Sequence, residues 1–210
     1  MTVATIPLEL EAGQRISLNP VSWSRFELIL EQLGDSRSTR IAFADGILEI
    51  VAPFPEHART KVLLADLVKI MLKEQGKAWE PFGSTTLRKS RMAAGVEPDD
   101  CFYIDNYEAV IGKSRIDLDI DPPPDLALET DLTSKTTVSA YEQLGVPELW
   151  IYEKHQLRIY LLENGKYSPS NHSNIFSEFP VTDWISNFIQ QSLSKGVSQA
   201  LEDFSQMFNS

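Results

Sequence analysis

Three acidic residues lie where an ordinary surface charge is not expected. Asp99 follows a proline and precedes the apolar segment 101–104, and Glu129 directly follows the apolar segment 126–128. Asp131 comes two residues after Glu129, so in an extended chain both side chains point to the same side. Desolvation disfavours a charge beside a buried strand unless something compensates it. The spacing therefore predicts carboxylates that converge and share a bound cation.

Converging carboxylates would form a site for a hard divalent cation. Their oxygens suit Mg²⁺ or Mn²⁺, and the bound ion relieves the repulsion between them. Such an ion polarises a phosphate group and lowers the pKa of an attacking water molecule. A nearby lysine would orient that water or stabilise the charge of the transition state. The expected chemistry is phosphodiester hydrolysis, with Asp99 and Glu129 as metal ligands.

Each acidic residue also has a structural interpretation. Asp99 belongs to a Pro-Asp pair, which is common in turns. Glu129 is also suited to a buried ion pair with an arginine such as Arg88. Asp131 is also a candidate cap for the helix predicted after it. The residue types alone leave these alternatives open.

The elements that would position these residues follow from apolar periodicity and turn signals. Ser22 is a suitable N-cap for a first helix that Gly34 would end, and Asp45-Gly46 predicts a hairpin. Other predicted elements are hairpin strands at 40–44 and 47–51, strands at about 83–88, 101–104, 126–128 and 149–152, helices at about 56–75, 106–112 and 134–144, a strand pair turning at Asn164-Gly165, and amphipathic helices after residue 180.

The order of these elements predicts the fold class. Two buried strands, at 126–128 and 149–152, flank the helix at 134–144. A strand, a crossover helix and a second strand form a right-handed parallel unit within a mixed sheet. We therefore expect an α/β (α+β) fold rather than an all-β barrel.

The composition is that of a globular protein. Of its 210 residues 42% are hydrophobic, enough for one domain over residues 1–210, with its core at about 20–165 and a C-terminal helical extension at about 181–210. A single cysteine, Cys101, excludes an internal disulfide and a cysteine-built zinc site. No apolar run approaches the roughly 20 residues of a membrane-spanning helix, and no secretion signal is recognisable. We therefore expect a cytoplasmic protein.

The charge disfavours indiscriminate binding to nucleic acid. A net charge of −11 repels phosphates, whereas non-specific affinity comes mainly from lysine and arginine. Five basic residues are grouped, namely Arg88, Lys89, Arg91, Lys113 and Arg115. They form either a local phosphate-binding patch or solvated strand ends.

Four segments resemble the Uma family of restriction-endonuclease-like proteins: DGILEIVAPFPEH (45–57), EPDDCFYI (97–104), PPDLALE (123–129) and YEQLGVPELWIY (141–152). The resemblance covers about residues 20–165. It implies the PD-(D/E)XK nuclease superfamily, with an αβββαβ core, a mixed central sheet flanked by helices, and here an extra β-hairpin or meander and C-terminal helices. It also implies that Asp99 and Glu129 are the two acidic motif positions.

The third motif position departs from that pattern. A conventional site has Glu-x-Lys, but this chain has Glu129-Thr130-Asp131. Lysines in this superfamily migrate, so Lys135 and Lys89 are candidates to complete the site. His57 and Glu49 are further possible site members, and each also has a structural interpretation.

The resemblance implies a metal-dependent endonuclease acting on nucleic acid, and we expect DNA. The alternative is a catalytically inactive nuclease-fold protein with a binding or regulatory role, which the acidic charge and the missing lysine favour. A nuclease-like subunit that relies on a partner protein for DNA affinity would reconcile both. We expect a homodimer, from the resemblance and from the apolar segment after residue 180, unless that segment packs on its own core.

Overall fold

The first helix and the first hairpin begin and end at the predicted residues. The computed structural model describes residues 10–34, 37–131 and 134–209. The elements up to the hairpin are strand β1 (Arg15–Leu18), helix α1 (Trp23–Leu33), strand β2 (Arg40–Ala44) and strand β3 (Ile47–Val51). The Ser22 hydroxyl caps α1 by accepting a hydrogen bond from the Arg25 N–H at 3.3 Å. Asp45 and Gly46 both have positive φ, as a two-residue hairpin turn requires.

The segment between the long helix and the parallel unit contains more strands than predicted. The long helix is α2 (Pro55–Glu74). The strands that follow it are β4 (Glu80–Pro81), β5 (Leu87–Lys89), β6 (Ala94–Val96) and β7 (Asp100–Tyr103). The predicted strand at 83–88 is confined to β5, and the segment between the strands predicted at 83–88 and 101–104 contains the buried strand β6. A 3₁₀ turn over Ser90–Met92, with Ala93 at φ 47°, reverses the chain between β5 and β6. Because polar residues flank this turn, the periodicity of apolar residues did not predict it.

The parallel unit is confirmed. Strands β8 (Leu126–Thr130) and β9 (Glu148–Glu153) pair in parallel and are joined by helix α3 (Lys135–Leu144). Only a 3₁₀ turn over Tyr107–Val110 occupies the helix predicted at 106–112. The chain continues with strands β10 (Gln156–Glu163) and β11 (Lys166–Ser170) and helices α4 (Val181–Lys195) and α5 (Val197–Gln206).

The strands form two sheets, not one central sheet. The first has the order β1-β3-β2-β6-β5 and the second the order β11-β10-β9-β8-β7-β4. Helix α1 covers one face of the hairpin, α3 lies between the sheets, and α2, α4 and α5 cover the far face of the second sheet. The α/β (α+β) class is confirmed.

Alternation along β8 decides where its side chains point. Leu126 and Leu128 join the core under α2, whereas Ala127 joins the core around α3. By the same period of two, Glu129 faces α3 and the first sheet. The strand thus delivers one carboxylate into the space between the two sheets.

The C-terminal helices pack on the chain's own core. Ile185, Phe188 and Phe204 are buried in the cluster beneath α2. Their apolar face is therefore satisfied without a second copy, and the homodimer prediction is left with the resemblance as its support. None of the helices in residues 10–34, 37–131 and 134–209 is long and apolar enough to cross a membrane.

Candidate active site

A cavity of about 180 Å³ opens where residues of both sheets and the first turn of α3 meet. Its acidic residues are Glu97, Asp99, Glu129 and Asp131, and its basic residues are Arg15 and Arg40. The structure therefore brings Asp99 and Glu129 together, together with two arginines that the sequence did not single out. The arginines are notable in a chain of net charge −11.

Asp99 is held at the entrance of β7 by the neighbouring strand. Its Oδ2 accepts hydrogen bonds from the Thr130 N–H at 2.8 Å and the Thr130 hydroxyl at 2.6 Å. Both of these side-chain bonds use the same oxygen, and the carboxylate is only partly buried. Asp99 is therefore oriented by the protein while its Oδ1 stays available to a ligand.

Glu129 is a buried carboxylate in the same cavity. It is 8% exposed, and its Oε1 accepts a hydrogen bond from the Tyr141 hydroxyl at 2.6 Å. Burial, and next the negative charge of Asp99, raise the pKa of Glu129 well above its usual range. The Tyr141 hydroxyl, the Arg40 charge and the Asp99 N–H act in the opposite direction. A cation bound between the two carboxylates would relieve their repulsion.

Arg40, at the start of β2, brings a positive charge to the cavity. Its Nη2 donates a hydrogen bond to the Ser84 hydroxyl at 2.9 Å. The Ser84 hydroxyl in turn donates to the Asp99 carbonyl at 3.0 Å and accepts from Lys61 Nζ at 2.7 Å. The Nε of Arg40 is buried and has no hydrogen-bond acceptor in the described part of the chain. A guanidinium with an unsatisfied buried N–H, facing this cavity, is suited to an anionic ligand.

Glu97 also lines the cavity, but its charge is already compensated. It forms a buried ion pair with Arg37 and accepts hydrogen bonds from the Thr86 hydroxyl at 2.7 Å and the Ile41 N–H at 3.2 Å. Sequence reasoning passed over Glu97, and only its place in Glu97-Pro98-Asp99 could have drawn attention to it. We regard it as a structural residue that joins the cavity wall to β2.

Asp131 and Lys135 differ in their position relative to Asp99 and Glu129. Asp131 reaches the cavity but is exposed, and its φ of 60° ends the extended geometry that was expected to align it with Glu129. The N-cap of α3 is Ser134, whose hydroxyl accepts from the N–H groups of Thr136 and Thr137. Lys135 is exposed and lines a separate groove on the other side of α3.

The remaining predicted site members occupy other places. Glu49 accepts hydrogen bonds from the hydroxyls of Ser134 and Thr136, so it ties β3 to the first turn of α3. Lys89 ends β5 and does not line the cavity, and Arg88 beside it is exposed. The arginine near Glu129 is therefore Arg40 and not Arg88. The side chain of His57 lies outside the described part of the structure.

The donor set fits a magnesium-type ion that keeps part of its water shell. Within residues 10–34, 37–131 and 134–209, no three His, Cys, Asp or Glu side chains are arranged to hold a metal ion. Mg²⁺, however, is commonly held by one or two carboxylates together with water and substrate phosphate. Asp99 and Glu129 could supply two such ligands, and a cation beside Glu129 would offset the burial and the Asp99 charge that raise the pKa of its carboxyl group.

Comparisons with known proteins identify the fold and the family of this chain. The crystal structure of a "putative nuclease belonging to DUF820" from Anabaena variabilis ATCC 29413 matches with a TM-score of 0.51 and 14% identity, over 87% of this chain and 99% of the other. At that identity the likeness shows the fold alone. No curated protein sequence matches the chain. Residues 23–190 match the Uma2 family, whose description is "Putative restriction endonuclease". Because this match spans most of the chain, the protein belongs to the Uma2 family of putative restriction endonucleases.

Proposed function

We propose that this protein is a metal-dependent endonuclease that hydrolyses phosphodiester bonds, with DNA as its substrate. The observation that carries the proposal is the meeting of Asp99, Glu129 and Arg40 in one cavity. Asp99 and Glu129 would hold Mg²⁺ or Mn²⁺. The bound ion would supply Lewis-acid polarisation of the phosphate and a water of lowered pKa.

Arg40 takes the cationic role in this proposal. Lys135 and Lys89 do not line the cavity, whereas the Arg40 guanidinium does and is anchored to Asp99 through the Ser84 hydroxyl. A guanidinium binds phosphate oxygens and stabilises the charge that develops on them. It stays protonated, so it orients and neutralises the phosphate rather than accepting a proton. Asp131, exposed at the cavity, would bind a water molecule near the metal.

A catalytically inactive binding protein is the second candidate function. It is favoured by the net charge of −11 and by the finding that, within the described residues, no three His, Cys, Asp or Glu side chains are arranged to hold a metal ion. Such a protein would keep the fold and the cavity but would bind metal weakly and cleave nothing. The two candidates therefore differ in metal affinity and in cleavage, which can be measured on the same preparations.

The deciding experiment is Mn²⁺ titration by calorimetry, followed by plasmid nicking, on wild type, Asp99→Ala and Glu129→Gln. We expect the wild type to bind Mn²⁺ and nick the plasmid, and both variants to lose both properties. Glu148→Gln is the matched control, because Glu148 is also a buried glutamate but lies outside the cavity. If the wild type binds no Mn²⁺ at millimolar concentration, the nuclease proposal fails and the binding function stands.

A further inference from the structure

Tyr141, on helix α3, contacts the proposed metal ligand Glu129 from within the core. Its side chain is fully buried, and its hydroxyl donates a hydrogen bond to Glu129 Oε1 at 2.6 Å. Tyr141 itself does not line the cavity, whereas Thr137 does, one helical turn earlier on the same face of α3. The hydroxyl therefore reaches the carboxylate from behind the cavity wall, where it does not meet a substrate.

The hairpin of the first sheet holds α3 in place on both sides of Tyr141. In the first turn of the helix, the Thr136 hydroxyl donates to Glu49 of β3 at 3.0 Å. In its last turn, the Gln143 side-chain amide donates to Asp45 in the hairpin turn at 3.0 Å. Because these bonds lie before and after Tyr141, they resist both sliding and rotation of the helix. The Tyr141 hydroxyl is thus delivered to Glu129 by an anchored element.

Both proposed metal ligands have one oxygen held by a hydroxyl of the protein. Glu129 is held by Tyr141, and Asp99 Oδ2 accepts hydrogen bonds from the N–H and the hydroxyl of Thr130. A hydrogen bond to one oxygen limits rotation of the carboxylate, so the direction of the other oxygen is also limited. Partners of this kind orient ligating carboxylates, and losing one costs about tenfold to a hundredfold in metal affinity.

We infer that Tyr141 is a positioning residue, which orients Glu129 for the divalent cation and acts on cleavage only through metal affinity. This inference rests on the proposed function, in which Glu129 is a metal ligand. Because the hydroxyl does not meet the substrate, a higher concentration of metal ion should overcome its loss. A residue that contacts the reacting atoms would instead lower the rate of cleavage even with the metal site saturated.

The test is Mn²⁺ titration by calorimetry and plasmid nicking over a series of Mn²⁺ concentrations, on wild type, Tyr141→Phe and Tyr103→Phe. Tyr141→Phe keeps the ring, so we expect about a tenfold loss of Mn²⁺ affinity and a nicking rate that reaches the wild-type value at saturating Mn²⁺. Tyr103→Phe is the matched control, because Tyr103 is fully buried in the same core cluster and donates to the Pro122 carbonyl at 3.1 Å, outside the cavity. It should bind Mn²⁺ and nick as the wild type does.

Unchanged Mn²⁺ affinity in Tyr141→Phe, an equal loss in Tyr103→Phe, or a nicking rate that stays low at saturating Mn²⁺ would each overturn the inference. Urea denaturation of both variants checks that they are folded and lose similar stability. Nicking that depends on Asp99, with Mn²⁺ affinity indifferent to Tyr141, removes the positioning role alone. Tyr141-dependent Mn²⁺ affinity without any nicking supports the positioning role while the nuclease proposal fails. A wild type that binds no Mn²⁺ overturns both.

Discussion

Two buried glutamates on neighbouring strands differ in how their charge is compensated. Glu129 lies near the C-terminal end of β8 and is 8% exposed, and Glu148 begins β9 and is 1% exposed. Glu148 accepts hydrogen bonds from the Trp150 indole N–H at 2.6 Å and the Asn174 N–H at 3.0 Å. Burial raises the pKa of Glu148, but four hydrogen-bond donors around it act in the opposite direction. Its charge is thus compensated within the fold.

Glu129 differs in what surrounds it. Among the described residues its one side-chain donor is the Tyr141 hydroxyl, and the second cause of its raised pKa is another carboxylate, Asp99. The ionised form of a buried carboxyl group is destabilised by a second negative charge beside it, so ionising Glu129 costs free energy in the metal-free protein. The comparison teaches that burial alone does not distinguish two carboxylates. The groups that surround each one do.

The largest expected difference between the two glutamates appears when each is replaced separately by glutamine. We expect Glu129→Gln to lose at least about a hundredfold of Mn²⁺ affinity, since it removes one of two ligands. The same change should leave stability unchanged or higher, because it replaces a buried carboxyl group whose ionisation is disfavoured by burial and by Asp99. Glu148→Gln should keep Mn²⁺ affinity and lose about 1–3 kcal/mol of unfolding free energy, since its amide group cannot accept from both donors. Calorimetry and urea denaturation measure both quantities.

Substitutions of Arg40 test whether the proposed cleavage needs this guanidinium in addition to Asp99 and Glu129. We expect Arg40→Ala to reduce the rate of plasmid nicking about a hundredfold, because one charge-assisted contact to the phosphate is lost. Arg40→Lys should recover part of that loss, since it keeps the charge without the planar fork. Arg88→Ala removes an exposed arginine outside the cavity and is the control. Equal loss in Arg40→Ala and Arg88→Ala would assign the effect to overall charge.

The pH dependence of stability separates the two glutamates further. A raised pKa means that the folded state retains a proton that the unfolded state releases above its ordinary pKa of about 4.5. Unfolding free energy should therefore fall as the pH rises from about 4.5 through the raised pKa. Glu129→Gln should flatten this slope more than Glu148→Gln, because the pKa of Glu129 is raised further. Urea denaturation at a series of pH values checks it, and an unchanged slope in Glu129→Gln contradicts it.

The smallest expected effect concerns Gly13. A Cβ atom at position 13 would come within 2.1 Å of Phe54 Cζ, so Gly13→Ala should displace that ring and lose more unfolding free energy than the about 1 kcal/mol expected from its φ of 81° alone. Gly112 has a φ of 75°, and in the described part of the chain an added Cβ would meet nothing within 4 Å, so Gly112→Ala has similar backbone strain without the ring contact. If urea denaturation finds both variants equally stable, the contact between Gly13 and Phe54 contributes nothing to stability.

Local sequence signals predicted most elements because they depend on residues close together in the chain. The cap at Ser22, the turn at Asp45-Gly46 and the two apolar strands around α3 are of this kind, and the structure has each of them. The same signals, with the family resemblance, selected Asp99 and Glu129. Strand β6 was not predicted, because polar residues flank it and its burial comes from pairing with β2.

The sequence by itself determined most of the elements, the parallel unit and the two carboxylates as candidates. Only the tertiary structure decided what stands beside them. Arg40 meets Ser84 across 44 residues of chain, and Thr130 meets Asp99 across 31. The backbone turn at Asp131 and the first turn of α3 set Lys135 on the far side of that helix. Such contacts depend on how two sheets and a helix pack, and no periodicity within one segment encodes that packing.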